Sequence, residues 1–314
     1  MATTTTIEST GPVKPKERSI ILDALRGLAL LGICLANFPE FSLYTFLKSE
    51  VTDGMPTAGI DRIVRFLQYV FVDGKFYTLF SLLFGIGFSI IISNAAQRGN
   101  NGFPIFYRRM GILLLIGFLH LMFLWSGDIL MLYALLGLLL PLFRNLSNRG
   151  LLIASVFILQ FMVMGLFLLG FYIGRNRIYA HLAENKWLLK RVSVYGALIG
   201  LPASLLYAWS SLGGHPWGLA VHSVLYTLSV FPLGLAYAAA FCLWYLRHKE
   251  SCVFKVLAAP GQMALSNYIG QSLWGILVFY GIGFGLGSDT GLVYVLGIAT
   301  GAYVIEIIFS LLWL

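Results

Sequence analysis

Charge is what this sequence has least of. Only 11% of its 314 residues are Asp, Glu, Lys or Arg, where soluble domains carry about a quarter. With 59% of its residues hydrophobic, the chain cannot cover itself with a solvated surface, so its solvent is lipid. Alternating strand patterns are missing as well. The apolar runs are continuous and rich in Leu, Ile and Phe, which excludes a β-barrel, whose strands alternate in and out over about ten residues. Helices remain, because they satisfy every backbone polar group within the segment. Cysteine is scarce: Cys34, Cys242 and Cys252 share no metal-type spacing, which argues against a zinc centre or a disulfide framework. No small-residue cleavage site follows the polar stretch 1–19, so the first apolar segment reads as an uncleaved helix. H-E-x-x-H, a Ser nucleophile elbow and an Asp-rich metal loop are all absent, and no metal site is expected. Gly85, Gly87, Gly281, Gly283, Gly285 and Gly287 follow no strand and precede no Lys-Ser/Thr, so they read as helix-packing positions rather than a phosphate loop.

What is present is a succession of apolar segments. Spans are expected at 20–38, 74–93, 109–126, 129–143, 151–173, 192–210, 218–245, 262–283 and 290–314. The fold class is therefore all-α, a polytopic transmembrane bundle of about nine spans, with one interfacial helix at 61–72 where Ile63, Phe66, Leu67, Val70 and Phe71 interleave with Arg65 and Gln68. The four residues Trp125 to Asp128 leave room only for a tight antiparallel hairpin. The organisation read from this is a cytoplasmic tail (1–19), an N-terminal membrane half of four helices (20–149), and a C-terminal half (150–314) shortened near 150–174.

The net charge of +8 does not imply nucleic acid, because Lys and Arg sit in short runs between apolar segments, as cytoplasmic loops do. Lys14, Lys16 and Arg18, then Arg98, Arg108 and Arg109, then Arg144 and Arg149 all fall on the cytoplasmic side of the cell membrane, N-terminus included. One crossing by 151–173 would put Arg175, Arg177, Lys186, Lys190 and Arg191 outside. An even number would keep them in, but two full helices need about 40 residues and about 24 are available. A re-entrant or abbreviated segment with 175–191 inside is the favoured reading.

Ionisable groups within a bilayer cost a few kcal/mol or more and are functional candidates by default. Asp23 and Arg26 share a face of the first span, where they read either as a structural ion pair or as part of a channel; Asn37 lies on nearly the same face at the outer end. His120, with Asp128 just beyond it, reads as a general base whose tautomer a carboxylate sets, against the alternative of a histidine that only binds a neighbouring helix. Asp73 and Lys75 read as interfacial anchors or as part of a polar cluster. His215 and His222 share the His120 side if 175–191 is inside. Ser81, Asn267, Gln271 and Glu306 read first as interhelical hydrogen-bonding groups.

Several segments resemble the YeiB-like family of uncharacterised bacterial membrane proteins: LDALRGLALLGICLANF at 22–38, DGKFYTLFSLLFGIGFS at 73–89, RRMGILLLIGFLH at 108–120, GDILMLYALLGLLLP at 127–141, GFYIGRNRIY at 170–179 and GQMALSNYIGQSLWGILVFYGIGFGL at 261–286. Beside that family this chain looks like a shortened member, with less sequence before the G-x-x-x-G-R segment and no basic, Trp-containing tail. The first segment, with Arg18, Asp23, Arg26-Gly27 and Asn37, also resembles the opening helix of heparan-α-glucosaminide N-acetyltransferase and, more distantly, other membrane acyltransferases. That similarity implies acyl transfer. The histidine taken as catalytic in that enzyme's following loop has no counterpart in 39–60, and His120 is the substitute read from this sequence. The expectation is an acyltransferase with no tightly bound cofactor, taking acetyl-CoA or another acyl-CoA as co-substrate and an envelope glycan or lipid as acceptor. Asp23, Arg26, His120 and Asp128 are its catalytic candidates; Asn37, Lys75, Arg108, Arg109, Arg175, Arg177, Asn267 and Gln271 its binding candidates. A transporter or flippase relaying through Asp23, Arg26 and Glu306, and a purely structural subunit, are the alternatives. The bilayer is the partner expected, and nothing in the sequence supports a homo-oligomer.

Overall fold

A computed structural model of the chain describes residues 19–158 and 163–314. Lys14, Lys16, Arg18 and the tail they belong to lie outside the described residues. The described residues form an all-α bundle without strands. In chain order the α-helices are α1 (Ile20–Phe41), α2 (Ser49–Asp53), α3 (Ala58–Phe71), α4 (Lys75–Gln97), α5 (Phe103–Phe123), α6 (Leu130–Leu139), α7 (Asn148–Phe157), α8 (Val163–Arg175), α9 (Lys186–Leu212), α10 (Gly218–Arg247), α11 (Cys252–Gln262), α12 (Ala264–Phe279) and α13 (Leu292–Trp313). Among the described residues, six stretches are long and apolar enough to cross a membrane: α1, α3 with α4, α5, α9, α10 and α13. Exposed Leu, Ile, Val, Phe and Trp side chains cover the outside of the bundle, as lipid demands.

The stretch 151–173 is not a single crossing. A continuous helix from 148 to 176 would hold its ends about 42 Å apart at 1.5 Å per residue. Instead Asn148 Nδ2 donates to Asn176 Oδ1 at 2.8 Å, and Arg175 donates to the Leu146 carbonyl (2.6 Å) and the Arg144 carbonyl (2.5 Å). Helices α7 and α8 therefore leave and return at one end of the bundle, packed on each other. At 10 and 13 residues they reach about 15 and 20 Å, well short of a bilayer core of about 30 Å. This re-entrant pair keeps Arg144, Arg149, Arg175 and Arg177 at one end, and the odd crossing count that separated the basic loops disappears.

Small residues allow the close approaches. A Cβ on Gly85 would stand 2.0 Å from the Phe167 carbonyl oxygen, and one on Gly170 would stand 2.1 Å from that of Leu82, so α4 and α8 cross backbone to backbone. Gly27 and Gly261 do the same for α1 and α11. The expected hairpin at Trp125 to Asp128 is present: α5 and α6 pack antiparallel, with Gly117 against the backbone of Met131. Helix α3 is amphipathic in the sense that lipid requires. Ile60, Ile63, Leu67 and Phe71 are exposed, whereas Asp61 and Gln68 are buried against the protein. The Asp61 carboxylate accepts from Thr57 Oγ1 (2.7 Å) and from the Val293 amide (2.9 Å), satisfying an orphan donor at the start of α13.

Candidate functional site

The end of the bundle that gathers the basic loops holds a cavity of about 550 Å³. Asp23 and Arg26 of α1, Gly87, Asn94 and Gln97 of α4, Arg98, Arg109 of α5, Tyr179 and Gln262 line it. Arg26 Nη1 donates to Asp23 Oδ1 at 2.5 Å, so the expected pair forms and does so at the cavity wall. Burial raises the Tyr179 phenol above its usual range, against the opposing pull of Arg177. Gly87 also faces this space: nothing lies within 4 Å of where its Cβ would be, so it opens the cavity rather than packing a helix. The cavity continues inward as a pocket of about 220 Å³ between Arg26, Arg109, Phe80, Phe84, Phe88 and Met110. Three arginines at a mouth and aromatic rings below it suit an anionic head with an apolar arm.

Two helices carry that direction onward. On α5, Arg109 and His120 are eleven residues apart, which is three turns plus about 20° and a rise of about 16 Å, so they lie on one face. Leu113 and Ile116 stand between them. Arg26, Leu30, Ile33 and Asn37 repeat the pattern on α1. Leu30, Ile33, Leu130, Tyr268 and Tyr303 are buried together, with Tyr77, Phe80, Leu113, Ile116 and Ile129 packed against them. An apolar seam thus joins the arginine-lined cavity to the far end of α1 and α5.

At the far end of the seam lies a buried row of three polar side chains. His120 Nδ1 is 3.1 Å from Asp128 Oδ1, and both side chains are almost wholly buried. The pair stands off the line of a regular hydrogen bond. Asp128 is anchored by its other oxygen, which accepts from the Met131 amide at 2.9 Å at the start of α6. On the opposite edge of the imidazole, Nε2 is 2.9 Å from Ser272 Oγ of α12. In the tautomer that carries its proton on Nδ1, Nε2 accepts from the serine hydroxyl; in the other, Nε2–H donates to it. The Tyr268 ring lies 5.5 Å from the His120 ring, one turn before Ser272, and walls the site. This order of carboxylate, imidazole and hydroxyl is the one that activates a hydroxyl as a nucleophile, recognised by geometry rather than by chain order.

Several other expected residues have their polar atoms committed elsewhere. Tyr77 donates to Asn37 Oδ1. Lys75 is fully buried and donates to the Tyr69 carbonyl at 2.6 Å, at the α3 to α4 turn. Arg175 fastens the re-entrant pair and stacks on Phe171, which removes it from the cavity. Arg108 and Arg177 are exposed and do not line the cavity, while Arg109 does. Asn267 donates to the Pro260 carbonyl and Ser310 Oγ; Gln271 donates to Glu306 Oε2 at 3.0 Å. These are the interhelical bonds read for them, and they give Glu306 the partner that the sequence did not reveal. His215 and His222 lie with their rings 4.1 Å apart and tilted at 59° at the start of α10, the end where His120 lies, and Ser210 Oγ is 3.1 Å from His222 Nδ1. Sequence reasoning missed Ser272, Tyr268, Arg98 and Tyr179. A signal for Ser272 existed: Asn267, Gln271 and Ser272 crowd polar groups into one otherwise apolar segment.

The end where His120 lies has its own polar cavity, about 380 Å³, lined by Tyr44, Ser49, Asp53, Asp61, Arg62 and Tyr69 among others. Phe41 and Trp125, 4.5 Å apart, pack beside the turn that carries Asp128.

Residues 173–314 match a family described as "Protein of unknown function (DUF418)". The chain is 32% identical to an uncharacterized 39.9 kDa protein in the amylase 3' region of Bacillus acidopullulyticus, over 96% of this chain and 91% of that protein. It is 25% identical to the uncharacterized protein YxaH of Bacillus subtilis (strain 168), over 98% and 93%, and 26% identical to the uncharacterized protein YeiB of Escherichia coli (strain K12), over 95% and 92%. The alignments run over 333, 383 and 366 residues, each longer than the 314 of this chain, so all three relatives carry inserted residues. No solved structure matches the chain.

Proposed function

Because this chain belongs to the YeiB-like family of membrane proteins, whose relatives carry no activity in their names, we propose from its own geometry that it is a transmembrane acyltransferase. The observation that carries the reading is the buried Asp128, His120 and Ser272 row at one end of an apolar seam whose other end is the arginine-lined cavity. The basic end faces the cytoplasm of the inner membrane, N-terminus included, since Lys and Arg of short loops stay there. An acyl-CoA places its phosphates against Arg26, Arg98 and Arg109 and its acyl arm in the seam. The acceptor, a hydroxyl or amine of an envelope glycan or lipid, approaches from the opposite end, where the cavity of Tyr44, Arg62 and Tyr69 opens.

His120 is the general base. Asp128, 3.1 Å from Nδ1, favours the imidazolium that forms when Nε2 takes a proton, a role worth about 10²- to 10⁴-fold in rate. The His120 and Ser272 side chains are closed off from solvent, so water does not compete for the acyl group, and entry of the donor requires α5 and α12 to part. The test is transfer of a labelled acyl group from acyl-CoA to envelope lipids and glycans in membranes holding the wild type, His120→Ala or Asp128→Asn. Transfer above empty membranes in the wild type alone is expected. Full turnover by His120→Ala would overturn the assignment.

A further inference from the structure

The acyl-transfer reading leaves open whether the acyl group moves directly from donor to acceptor or rests on the protein. We infer that Ser272 carries it, so that the reaction proceeds through an acyl-serine ester; the inference rests on the acyl-transfer reading of the same site. His120 Nε2 already stands 2.9 Å from Ser272 Oγ, in the position an acceptor hydroxyl would have to occupy for direct transfer. Ser272 is buried, and its other contact, to the Tyr268 carbonyl at 3.4 Å, is long. A serine in a membrane helix usually spends its hydroxyl on the carbonyl one turn back. Here the shorter interaction is to the imidazole, and the imidazole faces a carboxylate on its other edge.

The chemistry balances with the groups present. Ser272 Oγ attacks the thioester carbonyl as its proton passes to His120 Nε2. The C–O bond forms, the C–S bond breaks, and the proton leaves with the thiol of coenzyme A. In the second half the acceptor hydroxyl or amine attacks the ester carbonyl and gives its proton to Nε2, and that proton returns to Ser272 Oγ as the C–O bond to serine breaks. The two substrates enter from opposite ends of the bundle, and an ester intermediate lets the first product leave before the acceptor arrives. Double-displacement kinetics follow from this arrangement.

The full chain, purified in detergent, is incubated with acyl-labelled acetyl-CoA in the absence of acceptor and digested to locate label. The expected result is label on the Ser272 peptide, resistant to neutral hydroxylamine. Ser272→Cys should carry label that neutral hydroxylamine removes, because the ester has become a thioester. Ser272→Ala, monodisperse by size exclusion, should carry none and lose about 10³-fold or more in turnover. Unlabelled Ser272→Ala that still transfers the acyl group at the wild-type rate overturns the inference and leaves the acyl-transfer reading standing. Label that remains hydroxylamine-resistant in Ser272→Cys also overturns it. Absence of both label and transfer in the wild type overturns both readings together.

Discussion

At the scale of single residues, the site divides into what one stretch of chain can hold and what it cannot. His120 and Asp128 are eight residues apart across one tight turn, which made the pair a candidate, but spacing alone did not show that the carboxylate reaches the ring; the packing of α5 on α6 brings them to 3.1 Å. Ser272 is 152 residues from His120, and no periodicity connects them. The cavity arginines were visible as residues but not as a set: Arg98, Arg108, Arg109, Arg175 and Arg177 all satisfy the charge bias of cytoplasmic loops, and only packing separates the cavity-lining Arg98 and Arg109 from Arg175, which fastens the re-entrant pair. Gly87 makes the cavity testable without disturbing the bundle. Gly87→Leu places a side chain where nothing lies within 4 Å of the Cβ and removes a helix-interior glycine, worth up to about 1 kcal/mol in helix propensity. Titration calorimetry with acyl-CoA should show affinity falling about tenfold, near 1.4 kcal/mol, with an unchanged or slightly raised melting temperature. Unaltered affinity would remove the donor from this cavity.

Elements show the same division on a larger scale. Helices α1, α4, α5, α9, α10 and α13 were legible because each is a long apolar run in which hydrophobicity alone specifies a membrane helix. The segment 151–173 is equally apolar, and its composition does not say whether the chain crosses or turns back. What decides is a set of polar contacts to residues outside it, from Asn148 to Asn176 and from Arg175 to the carbonyls of residues 144 and 146. Helix α3 is a second case. Its amphipathic pattern was legible, but the burial of Asp61 follows from a partner 232 residues away, the backbone amide of Val293. Asp61→Ala should therefore loosen the start of α13 and lower the melting temperature in detergent, by a stability loss of about 1 to 2 kcal/mol. An unchanged melting temperature would mean that the α13 amide finds another acceptor.

For the whole molecule the consequence is a sidedness that can be measured. In a background lacking Cys34, Cys242 and Cys252, single cysteines at Asn145→Cys and Ala180→Cys should react with a membrane-impermeant maleimide from the same side, and Ser126→Cys from the other. Labelling of 145 and 180 from opposite sides would require a true crossing between them. That the chain is a membrane protein, all-α and rich in lipid-facing helices was determined by the sequence itself, because burial of the backbone in hydrocarbon leaves one local solution and each helix satisfies its own hydrogen bonds. The nearness of Asp128 to His120 along the chain was also visible, but not their approach to 3.1 Å. Which apolar segment turns back, which arginines share a cavity, and which serine faces the imidazole were decided only by the tertiary structure, because each depends on a polar contact between segments that are separate in sequence and on the glycine crossings that bring those segments within reach.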